Sequence, residues 1–460
     1  MRIAFISANQ YKIPYPVFPI GIAYLMTYIR QQFPDAVTDL FDCARQDLHE
    51  LEAFYRAAPY DLTVVSLRNI DDVNYFEQNS FVAHYKQVMQ TIRRCSTSPV
   101  EIGGPAFSIF PEQLYKALRP DWGIIGEGEM SLAQLVGLLG RPDDIRKIEG
   151  LVWEDGNGGV HINDREHFLP APALQMEPSA AAWYFERSGM LNIQTKRGCP
   201  FHCIYCTYPL IDGRNVRTLD AATVVSNMEE IWRTHGVDYL FFTDSVFNIR
   251  KAYNEELCLR IIERKLPVRW GAYFSPAGLT REELALYRDA GLTHIEWGTD
   301  TFSDRLLELY GKQFTFEDIR RTSAWASDLG IFYAHFLILG GLGETDATLD
   351  ETFARSGQLG LTAFFPFVGM RIYPRTPLYD IALRQGIIHS GEELVNPTYY
   401  LSPDVDISSI ETRAKATGRA WIFADDDHSG LMARFREKKI KGPLWEYLRY
   451  VSYPQPSDKQ

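Results

Sequence analysis

Three cysteines, Cys199, Cys203 and Cys206, stand at the spacing CxxxCxxC, directly after a β-prone run at residues 191–195. Three thiolates arranged in this way can hold three irons of a 4Fe-4S cluster and leave the fourth iron open to an outside ligand. The motif therefore demands a loop at the end of a strand in which three thiols converge. We expect a 4Fe-4S cluster at these three cysteines.

Two other uses of the cysteines fit the sequence less well. A structural zinc site normally closes with four ligands in two pairs, and the sequence has no second CxxC pair. A disulfide framework needs a higher cysteine density than six in 460 residues, and Cys43, Cys95 and Cys258 are scattered singly. The spacing thus favours an iron–sulfur cluster over zinc or disulfides.

The first 145 residues alternate short β-prone runs with helical stretches. Strands are predicted at residues 2–7, 37–42, 62–67, 100–103 and 122–125, with helices such as 20–32, 81–94 and 111–117 between them. This alternation is typical of an open, parallel, doubly wound α/β sheet. Ligands bind such sheets at the carboxyl ends of the strands, where Gly103-Gly104-Pro105 and Gly126-Glu127-Gly128-Glu129 stand.

A glycine-rich hairpin at residues 152–162 and a linker rich in Pro and Ala at 170–182 precede a second alternation. Its strands are predicted at residues 191–195, 239–243, 268–273, 294–298, 333–339 and 364–372, separated by amphipathic helices. Six such units suit a partial (β/α)6 barrel of the TIM type, whose chemistry would collect at the C-terminal ends of the strands.

The chain is therefore expected to have four parts. They are a Rossmann-like domain at residues 1–145, a linker with a hairpin at 146–188, a partial barrel at 189–385 and a small, mostly helical C-terminal cap at 386–460. The fold class is α/β. A length of 460 residues agrees with more than one domain.

Charge and hydropathy restrict the partners. The chain has 47 basic and 59 acidic residues, a net charge of −12, which argues against nucleic acid and anionic membrane surfaces. This balance would suit a cationic small substrate, although a solvated acidic surface is the commoner explanation. No run approaches 18 apolar residues, so no membrane insertion is expected.

The cysteine run resembles the signature of the radical S-adenosylmethionine (radical SAM) enzymes, which is CxxxCxxC with an aromatic residue before the third cysteine. Here that residue is Tyr205. The resemblance implies that the amino and carboxylate groups of SAM chelate the open iron. It also implies that a reduced cluster cleaves SAM to methionine and a 5′-deoxyadenosyl radical, while the protein aims the cofactor and excludes competing reactions.

The first domain resembles the cobalamin (B12)-binding-type domain that precedes the barrel in one large branch of this family. The resemblance rests on Gly103-Gly104-Pro105, on the following Phe110-Pro111-Glu112 and on Gly126-Glu127-Gly128-Glu129. The D-x-H-x-x-G motif of a domain that ligates cobalt through histidine is missing, since Ser7 to Lys12 contain no histidine. Many members of the branch bind cobalamin without that ligand, so cobalamin is a possible cofactor and stays open.

Four strand ends of the barrel resemble the SAM contacts of the family. Asp244 follows the second strand, where this branch has an acidic residue near SAM, and Asp300 ends the fourth, at a polar contact to ribose or methionine. Gly340 belongs to a run resembling the G-x-x-G-E loop against adenine, and Ile372 to the last adenine-contacting strand end. Each of these residues alone could also serve only as a helix cap or turn.

Three further residues stand near predicted barrel mouths and could touch the substrate. They are the candidate catalytic residues Tyr273, Glu296 and Arg371. For each one, a place in the core or in a salt bridge is the commoner role.

The sequence thus predicts a radical SAM enzyme that abstracts hydrogen from a small-molecule metabolite, with flavodoxin or ferredoxin as electron donor. If cobalamin binds, the expected reaction is C-methylation with SAM as methyl source. If it does not, radical dehydration, epimerisation or rearrangement of a cationic amino sugar fits, as in antibiotic tailoring by related enzymes.

A hypothesis of another class is a non-catalytic cluster protein for electron transfer or sensing. A ferredoxin would be expected to supply a fourth cysteine ligand, and none is placed to do so. Unpaired thiols and an oxygen-sensitive cluster predict a reducing compartment, the cytoplasm.

Overall fold

The computed structural model of the chain describes residues 1–169, 173–427 and 429–451. Residues 170–172 of the expected linker and residues 452–460 of the expected C-terminal cap lie outside the described residues.

A seven-stranded sheet organises the first part of the chain. Its strands are β1 (Arg2–Ser7), β2 (Val37–Asp42), β3 (Leu62–Ser66), β4 (Val100–Gly103), β5 (Trp122–Ile124), β6 (Leu151–Glu154) and β7 (Val160–Ile162). The strand order is β2-β1-β3-β4-β5-β6-β7. The first five strands are parallel and the last two antiparallel, so the predicted doubly wound sheet is confirmed.

Helices cover both faces of this sheet. They are α1 (Ile20–Gln32), α2 (Glu50–Ala57), α3 (Val82–Cys95), α4 (Pro105–Ile109), α5 (Pro111–Leu118), α6 (Glu129–Leu138) and α7 (Pro142–Ile145). Helices α1 and α6 pack with Phe5 and Val64 on one face, and α2, α3 and α5 with Ile6 and Val65 on the other. Because both faces are buried, the central strands are runs of apolar residues rather than alternating ones.

The hairpin expected at residues 152–162 is present, with Val152 opposite Ile162. It does not stand apart as a connector, because Gly123 of β5 pairs with Val152 and the hairpin extends the first sheet.

A second seven-stranded sheet forms the partial barrel. Its strands, in spatial order, are β8 (Leu191–Ile193), β11 (Tyr239–Phe242), β12 (Arg269–Phe274), β13 (Leu292–Asp300), β14 (Phe332–Leu339), β15 (Ala363–Val368) and β18 (Ala420–Trp421), and all pair in parallel. Two short antiparallel pairs flank the sheet, β9 (Lys196–Arg197) with β10 (Arg217–Thr218), and β16 (Met370–Arg371) with β17 (Tyr399–Tyr400).

Twelve further helices lie among the described residues of this part. They are α8 (Pro178–Ser188), α9 (Tyr208–Ile211), α10 (Ala221–His235), α11 (Lys251–Arg264), α12 (Arg281–Asp289), α13 (Asp304–Leu309), α14 (Phe316–Asp328), α15 (Asp346–Ser356), α16 (Pro377–Arg384), α17 (Ile410–Ala416), α18 (Ser429–Glu437) and α19 (Trp445–Leu448), with a 3-10 turn at Ile407–Ser409.

Three details of the barrel differ from the sequence-based expectation. The run predicted as one strand at 364–372 is split at Gly369, whose φ of +74° turns the chain, and its last part pairs with β17 instead. The strand predicted at 191–195 ends at Ile193, because the residues that follow turn away into β9. The mostly helical C-terminal region also contributes β18, a seventh parallel strand beside β15.

Local signals explain where the barrel helices begin. The side chains of Thr280 and Thr315 accept hydrogen bonds from backbone N–H groups in the first turns of α12 and α14. In turn, the carboxylates of Glu283 and Asp318 accept hydrogen bonds from the backbone N–H groups of these threonines. Such reciprocal caps satisfy amide groups that a helix leaves without partners. They hold each helix start just beyond the preceding strand.

The two sheets share a continuous apolar core. Leu67 and Phe110 of the first part belong to the same cluster of buried side chains as Tyr310, Met370 and Ile372 of the barrel. Among the described residues, no helix has the length and apolar character needed to cross a membrane.

Candidate functional site at the junction of the two sheets

The cysteine loop runs from β9 to α9 and is fixed by backbone hydrogen bonds. The N–H of Cys199 donates to the Gly213 carbonyl at 3.0 Å, and the N–H of Ile204 donates to the Tyr310 carbonyl at 3.2 Å. Gly198, with φ of +89°, lets the chain turn into the loop, and a side chain there would overlap the Asn215 carbonyl. Backbone hydrogen bonds and the glycine turn thus fix the conformation of the loop.

The three cysteines of the loop lie close enough together for their charges to interact. Burial is the main cause that raises the pKa of Cys203, and it raises the pKa of Cys206 to about 12; the neighbouring cysteines raise both further. Cys199 is buried, Cys203 and Cys206 are partly buried, and none of the three forms a disulfide. Because thiols must lose their protons to bind iron, the charge of a bound metal would offset the burial that favours the protonated form of Cys203 and Cys206.

Asp244, the predicted SAM contact after the second barrel strand, lies beneath this loop. Its Oδ1 accepts hydrogen bonds from the backbone N–H groups of Thr195 at 2.7 Å and Lys196 at 3.1 Å, and its Oδ2 lies 3.2 Å from the Lys196 ammonium. The carboxylate is 1% exposed. It therefore fixes the chain leading into the cysteines, and a direct contact to SAM stays a prediction.

Tyr205 and Asp300 form one buried group with Lys312. The Tyr205 hydroxyl donates to Asp300 Oδ2 at 2.5 Å, and the Lys312 ammonium lies 2.7 Å from the same oxygen and 3.2 Å from the Tyr205 hydroxyl. Asp300 and Cys203 raise the pKa of Lys312, although burial opposes them. The structure thus joins two sequence-predicted residues to a cation beside the cluster cysteines.

The predicted adenine loop is a tight turn after β14. Gly340 has φ of +74°, and its N–H donates to Glu344 Oε2 at 2.6 Å. Burial raises the pKa of Glu344 to about 7. Ile372, the other predicted adenine contact, is fully buried, and its N–H donates to the Thr398 carbonyl at 2.9 Å.

The three candidate catalytic residues occupy different surroundings. Tyr273 and Glu296 are register neighbours on β12 and β13. Tyr273 is 37% exposed and packs edge-on against Phe241, with ring centroids 5.0 Å apart. Glu296 Oε1 accepts from the Trp445 indole N–H at 2.9 Å, and burial raises the pKa of Glu296 to about 7.

The guanidinium of Arg371 is bound to other residues of the protein. Its Nε lies 2.8 Å from Asp71 Oδ2, and its other two nitrogens donate to the Ile372 and Leu394 carbonyls, each at 2.7 Å. The guanidinium holds the loop after β3 against the barrel. A catalytic role for Arg371 stays a prediction, and all three nitrogens of its guanidinium already have hydrogen-bond partners.

A cavity of about 480 Å³ lies between the two sheets. Its walls include the carboxyl ends of β1, β3, β4 and β5, with the Gly103-Gly104 turn, and the barrel residues Thr243 and Tyr273. Tyr208, two residues after Cys206, also lines it. The volume falls within the range of about 300–1,000 Å³ that is usual for small-molecule sites.

Two polar features mark the cavity wall. Arg68 has no hydrogen bond or ion pair with any described residue, and burial lowers the pKa of its guanidinium. Arg197 Nη1 and Nη2 lie 2.9 and 2.7 Å from Glu127 and Glu129, and all three side chains are buried. Because its half-buried guanidinium has no partner among the described residues, Arg68 is available to bind a polar or anionic group in the cavity.

Comparison with known proteins agrees with this geometry. The radical SAM superfamily model matches residues 193–355. The tryptophan 2-C-methyltransferase of Streptomyces laurentii is 26% identical over 441 residues, covering 81% of this chain and 73% of that protein. The cytidylyl-2-hydroxyethylphosphonate methyltransferase of Streptomyces wedmorensis is 22% identical over 472 residues, covering 84% of this chain and 85% of that protein.

Solved structures extend the likeness to both domains. TsrM, a radical SAM methyltransferase from Kitasatospora setae solved with cobalamin and a 4Fe-4S cluster, has a TM-score of 0.86 at 22% identity over 97% of both chains. OxsB, a cobalamin-dependent radical SAM enzyme, has a TM-score of 0.72 at 17% identity over 90% of this chain and 65% of that one. At these identities the likeness establishes the shared fold.

Residues 193–355 match the radical SAM superfamily, and the chain as a whole shares the fold of TsrM and OxsB. The residues present fit a 4Fe-4S cluster and cobalamin, the two groups bound in the TsrM structure. Three neighbouring cysteines in a motif that offers no fourth suit a cluster with an open iron. For cobalamin, the fit rests on the cavity at the strand ends and on unpaired Arg68 within it.

Two features of this site were not predicted from the sequence. Lys312 carries no motif, and only the folded chain brings it to Asp300. The Gly126-Glu129 segment stood out in the sequence, but its partner Arg197 lies far along the chain. A signal for the pair was present all the same, since Arg197 stands two residues before the first cysteine of the motif.

Proposed function

We propose that the protein is a radical SAM enzyme that methylates a carbon atom of a small-molecule metabolite in natural-product biosynthesis, with a 4Fe-4S cluster and cobalamin as cofactors. The observation that carries this proposal is that the segment around the cluster cysteines forms part of the wall of the cavity between the two sheets, the interdomain cavity. Tyr208 begins α9 directly after the loop, two residues beyond Cys206, and lines the cavity together with the strand ends of the first sheet. Two cofactors bound there would face the same interior.

When bound, the cluster supplies the electron that cleaves SAM, and cobalamin carries the methyl group. The chain's own residues hold and orient these groups. We assign Cys199, Cys203 and Cys206 to the cluster. SAM contacts are proposed for Tyr205, Asp244, Asp300, Gly340 and Ile372. Tyr273, which is partly exposed at the cavity wall, is the best placed of the three candidate substrate residues.

Relatives favour methylation over the alternatives. Two similar proteins are a tryptophan 2-C-methyltransferase and a cytidylyl-2-hydroxyethylphosphonate methyltransferase. Their substrates are chemically unlike, so the likeness supports the reaction type and a small-molecule substrate. Dehydration or rearrangement of an amino sugar and a non-catalytic electron-transfer role have no comparable support.

A low-potential flavodoxin or ferredoxin is proposed as the electron donor. We further propose that the protein works in the cytoplasm, because its six cysteines are unpaired and its cluster would not tolerate oxygen. Neither nucleic acid nor a membrane is expected as partner, given the net charge of −12.

The proposal is tested with protein purified without oxygen from cells supplied with cobalamin, followed by cluster reconstitution. We expect about four irons and about one cobalt per chain. Incubation with reductant and SAM carrying a labelled methyl group, with tryptophan as first test substrate and a metabolite extract as second, should give a labelled product. Iron without cobalt would overturn the methylation proposal and direct the search to radical dehydration. Cys203→Ala, which lacks one cluster ligand, is the matched inactive control.

A further inference from the structure

Glu101 is an acidic residue in the middle of an apolar sheet. It lies on β4, where its register neighbours are Val64 of β3 and Trp122 of β5. The residue is 3% exposed. Central strands of a parallel sheet covered on both faces are normally apolar, and carboxylates are rarely buried without a partner. Packing alone therefore does not explain a glutamate at this position.

No described cation or side-chain donor pairs with Glu101. Burial raises the pKa of its carboxyl well above the ordinary value, and the only group that favours the ionised form is the backbone N–H of Ile124. Burial without a cationic partner favours the protonated form of such a carboxyl. It then has an O–H to donate, as well as an oxygen that can accept.

The interdomain cavity reaches this carboxyl. Its lining residues include Glu101 and Ile124 of the first sheet, Ile22 and Leu25 of α1, and Leu132 of α6. The cavity thus extends from the strand ends into the space between the sheet and the helices α1 and α6. Apart from Glu101, the side chains named here are aliphatic. This extension, which we call the base arm, suits a flat apolar group that carries one hydrogen-bond acceptor.

Glycines keep the entrance to the base arm open. A Cβ on Gly103 would lie 3.2 Å from Glu101 Oε1 and from the Ile124 carbonyl, and a Cβ on Gly104 would lie 2.7 Å from the Leu67 carbonyl. Side chains at these positions would crowd the carboxyl and the turn beside it. The Gly103-Gly104 turn therefore gives a ligand at the strand ends access to Glu101.

We propose that Glu101 donates a hydrogen bond to the unprotonated ring nitrogen of the heteroaromatic base that ends the nucleotide of cobalamin. This inference rests on the proposed function, since it assigns a residue to the proposed cofactor. Cobalamin presents this nitrogen only when its base has left cobalt, so the base arm would hold the base detached. The apolar walls take the ring, and the single donor at the end fixes its orientation.

The test compares two corrinoids on the full-length protein, hydroxocobalamin and cobinamide, which keeps the corrin ring but lacks the nucleotide. Affinities are measured by equilibrium dialysis for the wild type, Glu101→Leu and Glu101→Gln. We expect Glu101→Leu to bind hydroxocobalamin about tenfold more weakly, the effect of one lost buried hydrogen bond, and cobinamide unchanged. Glu101→Gln, whose amide N–H can donate, should keep most of the affinity.

Other outcomes overturn the inference. Equal losses of both corrinoids in Glu101→Leu, or no loss of either, would show that Glu101 does not contact the base. A wild-type absorption spectrum in which the base still ligates cobalt would reject it without any variant. If the wild type binds neither corrinoid, the proposed cobalamin dependence itself fails, which is a different result from wild-type binding with insensitive variants.

Discussion

Arg197 and Glu129 join the cluster loop to the first domain through a buried ion pair of 2.7 Å. Arg197 stands two residues before Cys199, and Glu129 begins α6 at the edge of the interdomain cavity. Glu127 completes the group at 2.9 Å from the same guanidinium. These buried charges therefore connect the segment that leads into the cysteines with the edge of the cavity.

Glu129→Gln should lower the free energy of unfolding by about 3 kcal/mol, because removal of one partner leaves part of a buried charge without compensation. Urea denaturation of the apoprotein measures the loss. The control is Glu52→Gln, which breaks an exposed pair with Arg94 and should cost less than about 1 kcal/mol. Similar losses in the two variants would contradict a special role for the buried pair.

Cys203→Ala should abolish cluster binding, since two thiolates cannot replace three at a 4Fe-4S cluster. Cys95→Ala is the matched control, because Cys95 is a partly buried cysteine of the first domain. We expect iron near zero after reconstitution of the first variant and wild-type iron in the second. Substantial iron bound by Cys203→Ala would remove the assignment.

Glu296 should make stability depend on pH. Its pKa rises from 4.5 to about 7 in the folded protein, because burial favours the neutral form. The folded state therefore binds one more proton than the unfolded state between these values. Stability is full below pH 4.5, falls as the pH rises to about 7 and is constant above, a total loss of about 3 kcal/mol from this group.

Glu296→Gln isolates that contribution, since a glutamine oxygen can still accept from Trp445 but does not titrate. We expect the unfolding free energies of variant and wild type to diverge in favour of the variant between pH 4.5 and 7. Parallel curves over this interval would mean that Glu296 is ionised in the folded state.

Strands and helices could be predicted where the signals that define them lie within one short stretch of sequence. The strands of both sheets are mostly short apolar runs, and α12 and α14 each begin after a threonine cap that stands three residues before an acidic partner. The split of residues 364–372 was harder to foresee, because a positive φ at Gly369 is required only by the pairing of β16 with β17. Strand β18 has two residues, too few for any period to be read.

The site was predictable at the cysteines and less so around them. Three ligands within eight residues specify their own geometry. Asp244 and Arg371 were predicted at strand ends, but their hydrogen-bond partners come from distant segments that the local sequence does not reveal. The same holds for Glu101, whose significance depends on a cavity between the sheet and two helices.

Lys312 and Asp300 should be strongly coupled, because both are 8% exposed and lie 2.7 Å apart. Lys312→Met alone leaves the Asp300 carboxylate buried without its cation and should cost about 3–5 kcal/mol of unfolding free energy. Lys312→Met combined with Asp300→Asn removes both charges and should recover most of that loss. Urea denaturation of the wild type, both single variants and the double variant gives the coupling energy.

The same variants test whether this ion pair acts on the cluster. The Lys312 ammonium lies close enough to Cys203 to favour its thiolate. Loss of a nearby positive charge disfavours added electrons, so Lys312→Met should shift the reduction potential of the reconstituted cluster to more negative values. Removal of Asp300 in the double variant should return it towards the wild-type value. If the reduction potential is the same in all four proteins, Lys312 has a structural role only, because its coupling to Asp300 then has no effect on the cluster.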